Sequence, residues 1–353
     1  MDNGVKTMRE KTKYLKYLLI GVLLVLLGVI VIIGKGKKEN KKEQEKQIST
    51  TTETTTEQVK EKTEGTETFL IFGVDSREKN LDKGTRSDSI IVVNMNHKKK
   101  EIRLASIFRD TYVSIEGHGM DKINHAHSYG GPQLAMDTVN ENFDLNAKKY
   151  LTINFMNVSE LIDDIGGIKM DITSDEVKYI NDYIDELNKI EKKDSSHITE
   201  AGTYILDGVQ AVAYTRIRYT AGGDYKRAER QRTILLKVFE KAKELDSDEM
   251  LKLADKFMNE INTNYSSGDA MEILYYLSKY KVVDSKAFPT RLWGGKIDGV
   301  WYGVPVTLES NAKELHEFLY PEEKYEVSDH VKEISNQIRQ VADTPNEVFE
   351  DEE

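Results

Sequence analysis

The chain has 353 residues, 39% of them hydrophobic, which is enough to bury one large core or two ordinary ones. Its formal net charge is −11, and an acidic excess of this size argues against a general nucleic-acid-binding protein. The sequence contains no cysteine. Disulfide bonds and thiolate metal sites are therefore excluded.

An uncharged segment of 18 residues, Tyr17–Gly34, lies near the N-terminus between Lys16 and Lys35. This length is sufficient for a helix to span a bilayer, and no small-residue cleavage pattern follows it. We therefore expect an uncleaved signal anchor in preference to a buried core helix. Because lysines flank both ends, the positive-inside rule does not fix the orientation. The short tail 1–16 and the long C-terminal part favour a single-pass protein of the cell membrane, with its N-terminus inside and its C-terminal domain outside.

Two polar segments flank a central region, 67–321, that has the composition of a folded domain. Residues 35–66 are mostly Lys, Glu, Thr and Gln, which predicts a disordered spacer with an end-to-end distance on the order of 30 Å. A solvated charged helix is the alternative, and the threonine run disfavours it. Residues 322–353 end in the acidic run Glu350–Glu353 and are expected to be disordered, except for a short helix near Val331–Val341.

Strand and helix patterns alternate in the central region. Strands are predicted at Phe69–Val74, Ser89–Asn96, Glu101–Ile107, Tyr150–Ile153 and Ile168–Ile172, with edge strands within 282–301. Helices are predicted at Pro132–Asn142, Phe155–Ile165, Ser174–Ile190 with Ser174 as N-cap, Ser247–Ile261, Gly268–Lys281 and Asn311–Leu319. The expected fold is a single α/β (or α+β) domain with a central mixed sheet flanked by helices, preceded by one transmembrane helix.

The stretch from Leu206 to Val238 is unusually rich in arginine. It holds five of the 12 arginines of the chain, and four more lie between Arg77 and Arg109, whereas the 38 lysines are spread widely. Arginine binds phosphate oxygens in pairs and keeps its charge, so this clustering indicates an anion site. The alternative is that these arginines pair with structural carboxylates, and for any single arginine the two interpretations are about equally supported.

Local signals suggest how these arginines are presented. Asp207 is a good N-cap, and Gln210 completes a capping box for a short helix. The alternating pattern of Tyr214–Arg218 then predicts an extended segment in which Arg216 and Arg218 point the same way. In the next helix, the side chains of Arg227, Arg230 and Gln231 share one face, which continues as apolar residues and is therefore expected to face a cleft.

Two carboxylates near the arginines suggest a metal site. Magnesium takes one or two carboxylates together with phosphate oxygens, and Asp75 and Asp88 follow and precede predicted strands. The alternative is that each pairs with a neighbouring arginine, for example Asp88 with Arg86. A metal pair made by His125 and His127 is less favoured than a structural role for both. The sequence has no Walker loop, dinucleotide fingerprint or Gly-x-Ser-x-Gly turn.

Five motifs together resemble the LytR-CpsA-Psr family. In chain order they are Phe72–Arg77, Arg86–Ser89, Ser106–Thr111, Lys122–Ala126 with Gly130–Gly131, and Tyr214–Arg218 followed by Arg227, Arg230 and Gln231. They extend over about Phe69 to Phe239, and the N-terminal anchor matches the family as well. Two positions depart from its pattern, because Phe108 stands where proline is usual and Arg232 where a second glutamine is common.

The resemblance implies a membrane-anchored, extracytoplasmic phosphotransferase. Such enzymes move a glycopolymer, such as teichoic acid or capsular polysaccharide, from an undecaprenyl diphosphate carrier to peptidoglycan. The resemblance assigns Mg²⁺ to Asp75 and Asp88. It assigns the diphosphate to Arg86, Arg109, Arg216, Arg218, Arg227 and Gln231. The expected partners are the lipid-linked glycopolymer, peptidoglycan and the membrane, and no nucleic acid.

The same residues suit the chemistry of this transfer. Fixed guanidinium groups and a metal stabilise charge on a leaving phosphate, with Arg109 placed at the catalytic centre. The acceptor hydroxyl needs a base, for which Asp75 and Asp110 are the candidates. Two other classes stay open: a polyprenyl-diphosphate hydrolase that uses water as acceptor, and a non-catalytic lipid-binding regulatory protein. A role in transcriptional attenuation fits poorly with an anchored, acidic domain.

Overall fold

A computed structural model describes residues 65–76, 81–220, 223–242, 260–266, 280–341 and 348–350, together with a few isolated positions between 244 and 256. The signal anchor, most of the spacer and Arg77 lie outside these residues, as do most residues of the helices expected at 247–261 and 268–281. No helix of the described part is both long and apolar enough to cross a membrane.

A mixed six-stranded sheet forms the centre of the domain, with strand order β10-β3-β2-β1-β6-β9. Its strands are β1 (Thr66–Val74), β2 (Ser87–Asn96), β3 (Glu101–Ile107), β6 (Lys149–Asn154), β9 (Asn262–Thr263) and β10 (Lys281–Phe288). β2 pairs antiparallel with β1 and β3, whereas β1–β6 and β3–β10 are parallel pairs. The expectation of an α/β domain with a mixed sheet is confirmed.

Three small sheets surround this centre. They are the hairpin β4 (Tyr112–Ile115) with β5 (Gly119–Lys122), the pair β7 (Ile168–Ile172) with β8 (Gly202–Leu206), and β11 (Arg291–Ile297) between β12 (Val300–Pro305) and β13 (Val348–Glu350). β10 to β12 supply the edge strands expected between 282 and 301, since β10 borders the large sheet.

Seven helices of the described part pack on the two faces of the sheet. They are α1 (His125–Phe143), α2 (Phe155–Asp164), α3 (Ser174–Glu191), α4 (Gly208–Arg216), α5 (Gly223–Ala242), α6 (Leu308–Leu319) and α7 (Asp329–Val341). α1 kinks at Gly130 and Gly131. The helix predicted from Pro132 onward therefore corresponds only to the part of α1 after the kink. The N-cap of α3 is Thr173, which forms a capping box with Glu176, so the assignment to Ser174 is one residue off.

The two faces of the sheet pack in two separate hydrophobic cores, because successive side chains of a strand point to opposite faces. Phe69 and Ile71 of β1 pack in the first core with α2, α3, α4 and α5. Leu70 and Phe72 of the same strand pack in the second core with α1, α6 and α7. The sheet therefore separates two helical layers, and its strand ends open between them.

The expected extended segment Tyr214–Arg218 is wrong. The capping box of Asp207 starts α4, and the helix continues through Arg216 before Ile217 leaves it at φ −59° and ψ 125°. Tyr214 is buried on the helix, and the Thr215 hydroxyl donates to the carbonyl of Val212 at 2.7 Å. Tertiary packing therefore overrides the short alternating pattern, which is a weak signal over five residues.

In the polar C-terminal segment, the short helix expected near Val331–Val341 is present as α7. Val331, Ile334 and Ile338 recur at helical spacing and are buried in the second core. Before the helix, the Ser328 hydroxyl and backbone N–H donate to the Asp144 carboxylate at 2.6 and 2.9 Å, and the Tyr325 hydroxyl donates to it as well. The segment is polar overall, but its narrow apolar stripe is sufficient to dock the helix.

Replacing Ile338 with alanine should therefore lower the free energy of unfolding by about 2–5 kcal/mol, as for other large aliphatic side chains deleted from a core. The side chain is 1% exposed. Urea denaturation of the Ile338→Ala protein measures the effect, and Lys332→Ala on the exposed face of the same helix is the control. Equal stability of both variants would show that α7 contributes no packing.

Candidate active site

Polar residues next to the central strands lie together at one edge of the large sheet, the edge that is formed by strand ends. The last residue pair of β1 and β2 joins Val74 to Ser87, and β3 runs antiparallel to β2. The residues after β1, at the start of β2 and after β3 therefore meet at the same edge. Asp75, Asp88 and Arg109 occupy these three positions.

Gly73 allows β1 and β2 to approach closely at this edge. A Cβ atom at Gly73 would lie 2.9 Å from the Cβ of Ser89, and the ladder has a register shift between Gly73 and Val74. A larger residue would force the two strands apart. The glycine therefore keeps the strand ends that carry Asp75 and Asp88 next to each other.

Arg109 is the centre of an ion-pair network at the edge. Its Nη1 atom donates to Oδ1 of Asp88 at 3.0 Å, and its Nε atom lies 3.3 Å from Oδ2 of Asp110. The Nζ atom of Lys122 donates to the other oxygen of Asp110 at 2.7 Å. These side chains are only 14% to 18% exposed, so the charges interact more strongly than they would in open solvent.

The turn that carries Arg109 is fixed by its backbone. The N–H of Thr111 donates to the carbonyl of Phe108 at 3.0 Å, and the N–H of Asn124 donates to the carbonyl of Arg109 at 3.2 Å. The N–H of Phe108 donates to the carbonyl of Phe288 at 2.8 Å, a bond that a proline at position 108 could not make. The departure from the family pattern thus has a local structural role here.

The first turns of α5 cover the cleft from the side of the first core. The Nη2 atom of Arg227 donates to the backbone carbonyl of Asp88 at 2.9 Å, and this arginine is only 4% exposed. Tyr225 packs edge-on against Phe108 with ring centroids 4.3 Å apart, which anchors the helix to the turn after β3. A small cavity results. It is lined by Asp88, Ser89, Ile90, Ser106, Ile107, Phe108, Arg109, Arg227, Ala228 and Gln231.

Arg216 and Arg218 have different partners. Arg216 pairs with Glu186 at 3.3 Å, and its guanidinium lies 5.7 Å from the Tyr183 ring centroid. Arg218 is 44% exposed, and its Nη2 atom lies 4.0 Å from Oδ2 of Asp88. Burial raises the pKa of Tyr183, although the charges of both arginines oppose this rise. Arg218 therefore extends the Arg109 network, whereas Arg216 has a carboxylate partner outside it.

Arg230 has a structural position. Its guanidinium is 6% exposed, and it pairs with Glu176 at 3.1 Å and donates to the carbonyl of Ile217 and to the hydroxyl of Thr220 at 3.2 and 2.8 Å. Arg227 and Arg230 share a face of α5 as the sequence predicted, yet only Arg227 reaches the cleft. For Arg230 the structural alternative is therefore the better interpretation.

Asp75 and Arg86 lie beyond the last pair of the β1–β2 ladder, and both are exposed. The described residues contain no group of three or more His, Asp or Glu side chains that would hold a metal alone. Two carboxylates, however, are what the protein contributes when phosphate oxygens and water fill the remaining positions around magnesium. Asp75 and Asp88 therefore fit an ion held jointly with a diphosphate.

His125 and His127 have different partners and do not form a metal pair with each other. His125 Nδ1 lies 2.8 Å from Oδ2 of Asp121, and His127 Nδ1 donates to the carbonyl of Thr85 at 2.9 Å. Burial lowers the pKa of His127, which keeps the ring neutral. His125 contacts the end of β5 and His127 contacts the segment before β2, as the structural interpretation expects.

Lys122 is the site residue to which sequence reasoning gave no role. It opens the fourth motif and follows Asp121 at the end of β5, so the motif named it without indicating its partner. Its ammonium group contacts Asp110 and lies 5.9 and 5.6 Å from the ring centroids of Trp301 and Tyr302. No local pattern could predict these contacts, because the aromatic residues are about 180 positions away.

Comparison with known proteins places this geometry in a family. The family model described as "LytR_cpsA_psr family" matches residues 30–317. A relative from Bacillus subtilis strain 168, named polyisoprenyl-teichoic acid–peptidoglycan teichoic acid transferase TagT, is 34% identical over 234 residues. That alignment covers 65% of this chain and 70% of the relative.

Solved structures with the same fold include two complexes. One is TagT bound to LIIa-WTA, which matches with a TM-score of 0.58 and 28% identity, covering 72% of this chain and 90% of that one. The other is the family protein YwtF (TagT) with bound octaprenyl pyrophosphate lipid, with a TM-score of 0.54 and 28% identity over 74% and 94% of the two chains. This chain is a member of the LytR-CpsA-Psr family.

Proposed function

We propose that this chain transfers a glycopolymer from a polyprenyl diphosphate carrier to peptidoglycan. The observation that carries the proposal is Arg109, which is fixed between Asp88 and Asp110 while Arg227 and Arg218 approach Asp88 from the helical layer. Such a site holds several fixed guanidinium groups close together, which is the arrangement that binds diphosphate oxygens. The names of the relatives, and the diphosphate lipid bound to one solved neighbour, support the same substrate class.

The reaction proposed is a displacement at the phosphorus atom that carries the glycan. An acceptor hydroxyl oxygen forms a new bond to this phosphorus, and the bond to the bridging oxygen breaks. The lipid leaves as a monophosphate, whose new negative charge is stabilised by Arg218 and Arg227. Arg109 holds the non-bridging oxygens, because Asp88 and Asp110 fix its orientation from both sides.

The hydroxyl proton passes to a carboxylate, and Asp75 is the base that we propose. Asp110, the other candidate, has Lys122 on one oxygen and Arg109 on the other, so it must release a cation before it can take a proton. Asp75 is exposed at the end of β1. Asp110 is better suited to positioning Arg109.

Asp75 and Asp88 would also hold Mg²⁺, as the sequence expected. When bound, the ion would neutralise charge on the diphosphate oxygens. We further propose undecaprenyl diphosphate as the carrier, a teichoic acid as the polymer, and Tyr17–Gly34 as the anchor that holds the domain outside the cell membrane. The relatives' names support the polymer, and composition alone supports the anchor.

The decisive experiment incubates the full-length chain in detergent with a lipid-diphosphate-linked teichoic acid precursor, with and without soluble peptidoglycan oligomers. Transfer predicts release of lipid monophosphate together with a glycan phosphate ester on the oligomer. Release without oligomer would indicate hydrolysis, and retention of the intact lipid in both cases would indicate a binding protein. Either result would contradict the proposed transfer.

Substituting Asp88 with asparagine should lower magnesium-dependent transfer about a hundredfold or more. Removing one fixed electrostatic group from such a site lowers the rate by about 10² to 10³. Asp75→Ala should have an effect of similar size. Asp284→Asn, at an exposed carboxylate in β10, is the matched control and should transfer normally. Transfer that continues in the presence of excess chelator would contradict the magnesium assignment.

A further inference from the structure

An aromatic surface adjoins the Arg109 network at its Asp110 end, where Lys122 lies. It is formed by β5, the β11–β12 hairpin and the start of α1, around the carboxylate of Asp121. The Tyr129 hydroxyl donates to this carboxylate at 2.6 Å, and the Tyr302 hydroxyl is 3.5 Å from it. Trp301 lies at the rim, with its ring centroid 5.9 Å from the ammonium group of Lys122. Lys122 in turn contacts Asp110, so the surface is continuous with the cleft.

Packing alone does not explain this surface. Tyr112 and Tyr302 join the two hairpins, with ring centroids 4.8 Å apart, and Tyr112 is buried. Trp301 and Tyr129, by contrast, are 45% and 41% exposed. Of the six large apolar or aromatic side chains that are exposed in the described part of the chain, Tyr129, Val300 and Trp301 all belong to this region. Clustered exposure of this kind marks a binding surface.

The groups around the rings are suited to a sugar. The flat face of an aromatic ring stacks on the C–H face of a pyranose, while carboxylates and ammonium groups bind the hydroxyls at its edge. Burial alone would raise the pKa of Asp121, but hydrogen bonds from Tyr129 and His125 outweigh it and lower the pKa, so the group remains an acceptor. The same hydrogen bond raises the pKa of Tyr129 to about 12, which keeps its hydroxyl protonated.

The position of the aromatic surface indicates that it binds the acceptor glycan and not the donor glycan. In the displacement proposed above, the attacking oxygen lies in line with the leaving oxygen and on the opposite side of the phosphorus. The leaving lipid phosphate faces Arg218 and Arg227 on the Asp88 side of Arg109. The attacking sugar therefore enters from the Asp110 side, where Lys122 contacts the aromatic surface.

We propose that Trp301, with Tyr129, Tyr302 and Asp121, forms the subsite that holds the acceptor glycan strand of peptidoglycan. The inference rests on the proposed transfer for its reaction, but the binding that it claims is independent of turnover. Trp301 supplies the stacking face, and the groups around Asp121 supply the hydrogen bonds.

Isothermal titration of soluble peptidoglycan glycan oligomers into the full-length chain, without lipid donor, tests the subsite directly. Trp301→Ala should weaken binding about tenfold or more, since a well-placed tryptophan is among the side chains that dominate interface affinity. Trp301→Phe keeps an aromatic face and should restore most of it. Ile205→Ala, at a 72% exposed position on β8, is the control and should bind like the unaltered chain. Equal binding by the Trp301→Ala protein would overturn the subsite.

Steady-state transfer gives the second readout. Trp301→Ala should raise the KM for the oligomer about tenfold and leave the KM for the lipid donor unchanged. A rise in the donor KM instead would assign the surface to the donor glycan and overturn the acceptor assignment. If the unaltered chain binds oligomers through Trp301 but transfers nothing, the proposed function fails while the subsite stands.

Discussion

Replacing Arg227 with lysine is expected to lower transfer about tenfold to a hundredfold while the fold is retained. The guanidinium is 4% exposed, donates to the backbone carbonyl of Asp88 and lines the cavity beside Arg109. Lysine keeps the charge but loses the planar set of donors, and each lost charge-assisted hydrogen bond costs about 1.5–3 kcal/mol. A cost of this size corresponds to a loss in rate of about tenfold to a hundredfold.

The control for Arg227→Lys is a neighbouring residue of the same helix whose side chain lies outside the cleft. Lys226 is exposed and pairs with Glu229 one turn away, so Lys226→Ala should transfer normally. Lipid-diphosphate binding and thermal unfolding are measured on both variants. Normal transfer by the Arg227→Lys protein, or a loss that only tracks unfolding, would remove Arg227 from the site.

The residues of the cleft were accessible from the sequence because they lie next to strand ends. The sequence patterns predicted β3 to the residue and the end of β1 correctly, although β1 begins three residues earlier than predicted, at Thr66. Polar side chains directly beside the apolar part of a strand must leave the core. Arg109 and Asp110 were found because they follow β3, and Asp88 because it precedes the strand predicted from Ser89. The helical period placed Arg227 and Gln231 on the side of α5 that lines the cleft. Their catalytic and metal-binding roles remain proposals.

The features that were not predicted from the sequence depend on contacts between residues that are far apart in the chain. The geometry of Arg216 and Arg218 was wrong because burial of Tyr214 extends α4 into a segment that alternates like a strand. Lys122 was given no role because its partners, Asp110 and Trp301, come together only through the packing of two hairpins. The helix α7 was expected, but its docking on the second core was not, because a stripe of three apolar residues is diluted by a polar segment.

Arg230 is the case in which the sequence left two interpretations open and stability decides between them. Its guanidinium joins α5 to Glu176 at the start of α3 and to the α4–α5 connection through Ile217 and Thr220. Glu176 also accepts from the backbone N–H and hydroxyl of Thr173, so one carboxylate serves the helix cap and the ion pair. The pair is buried, with side chains 6% and 10% exposed.

Arg230→Met should therefore lower the free energy of unfolding by about 3–5 kcal/mol, because it leaves the Glu176 charge buried without its cation. Urea denaturation at neutral pH measures the change. The double variant Glu176→Gln, Arg230→Met removes both charges and should recover part of the loss, since an uncharged amide costs less to bury than an unpaired carboxylate. A protein with Arg230→Met that unfolds like the unaltered chain but no longer binds lipid diphosphate would instead return Arg230 to the anion site. Normal binding by whatever fraction stays folded would keep it as the residue that ties α5, and with it Arg227, to the rest of the domain.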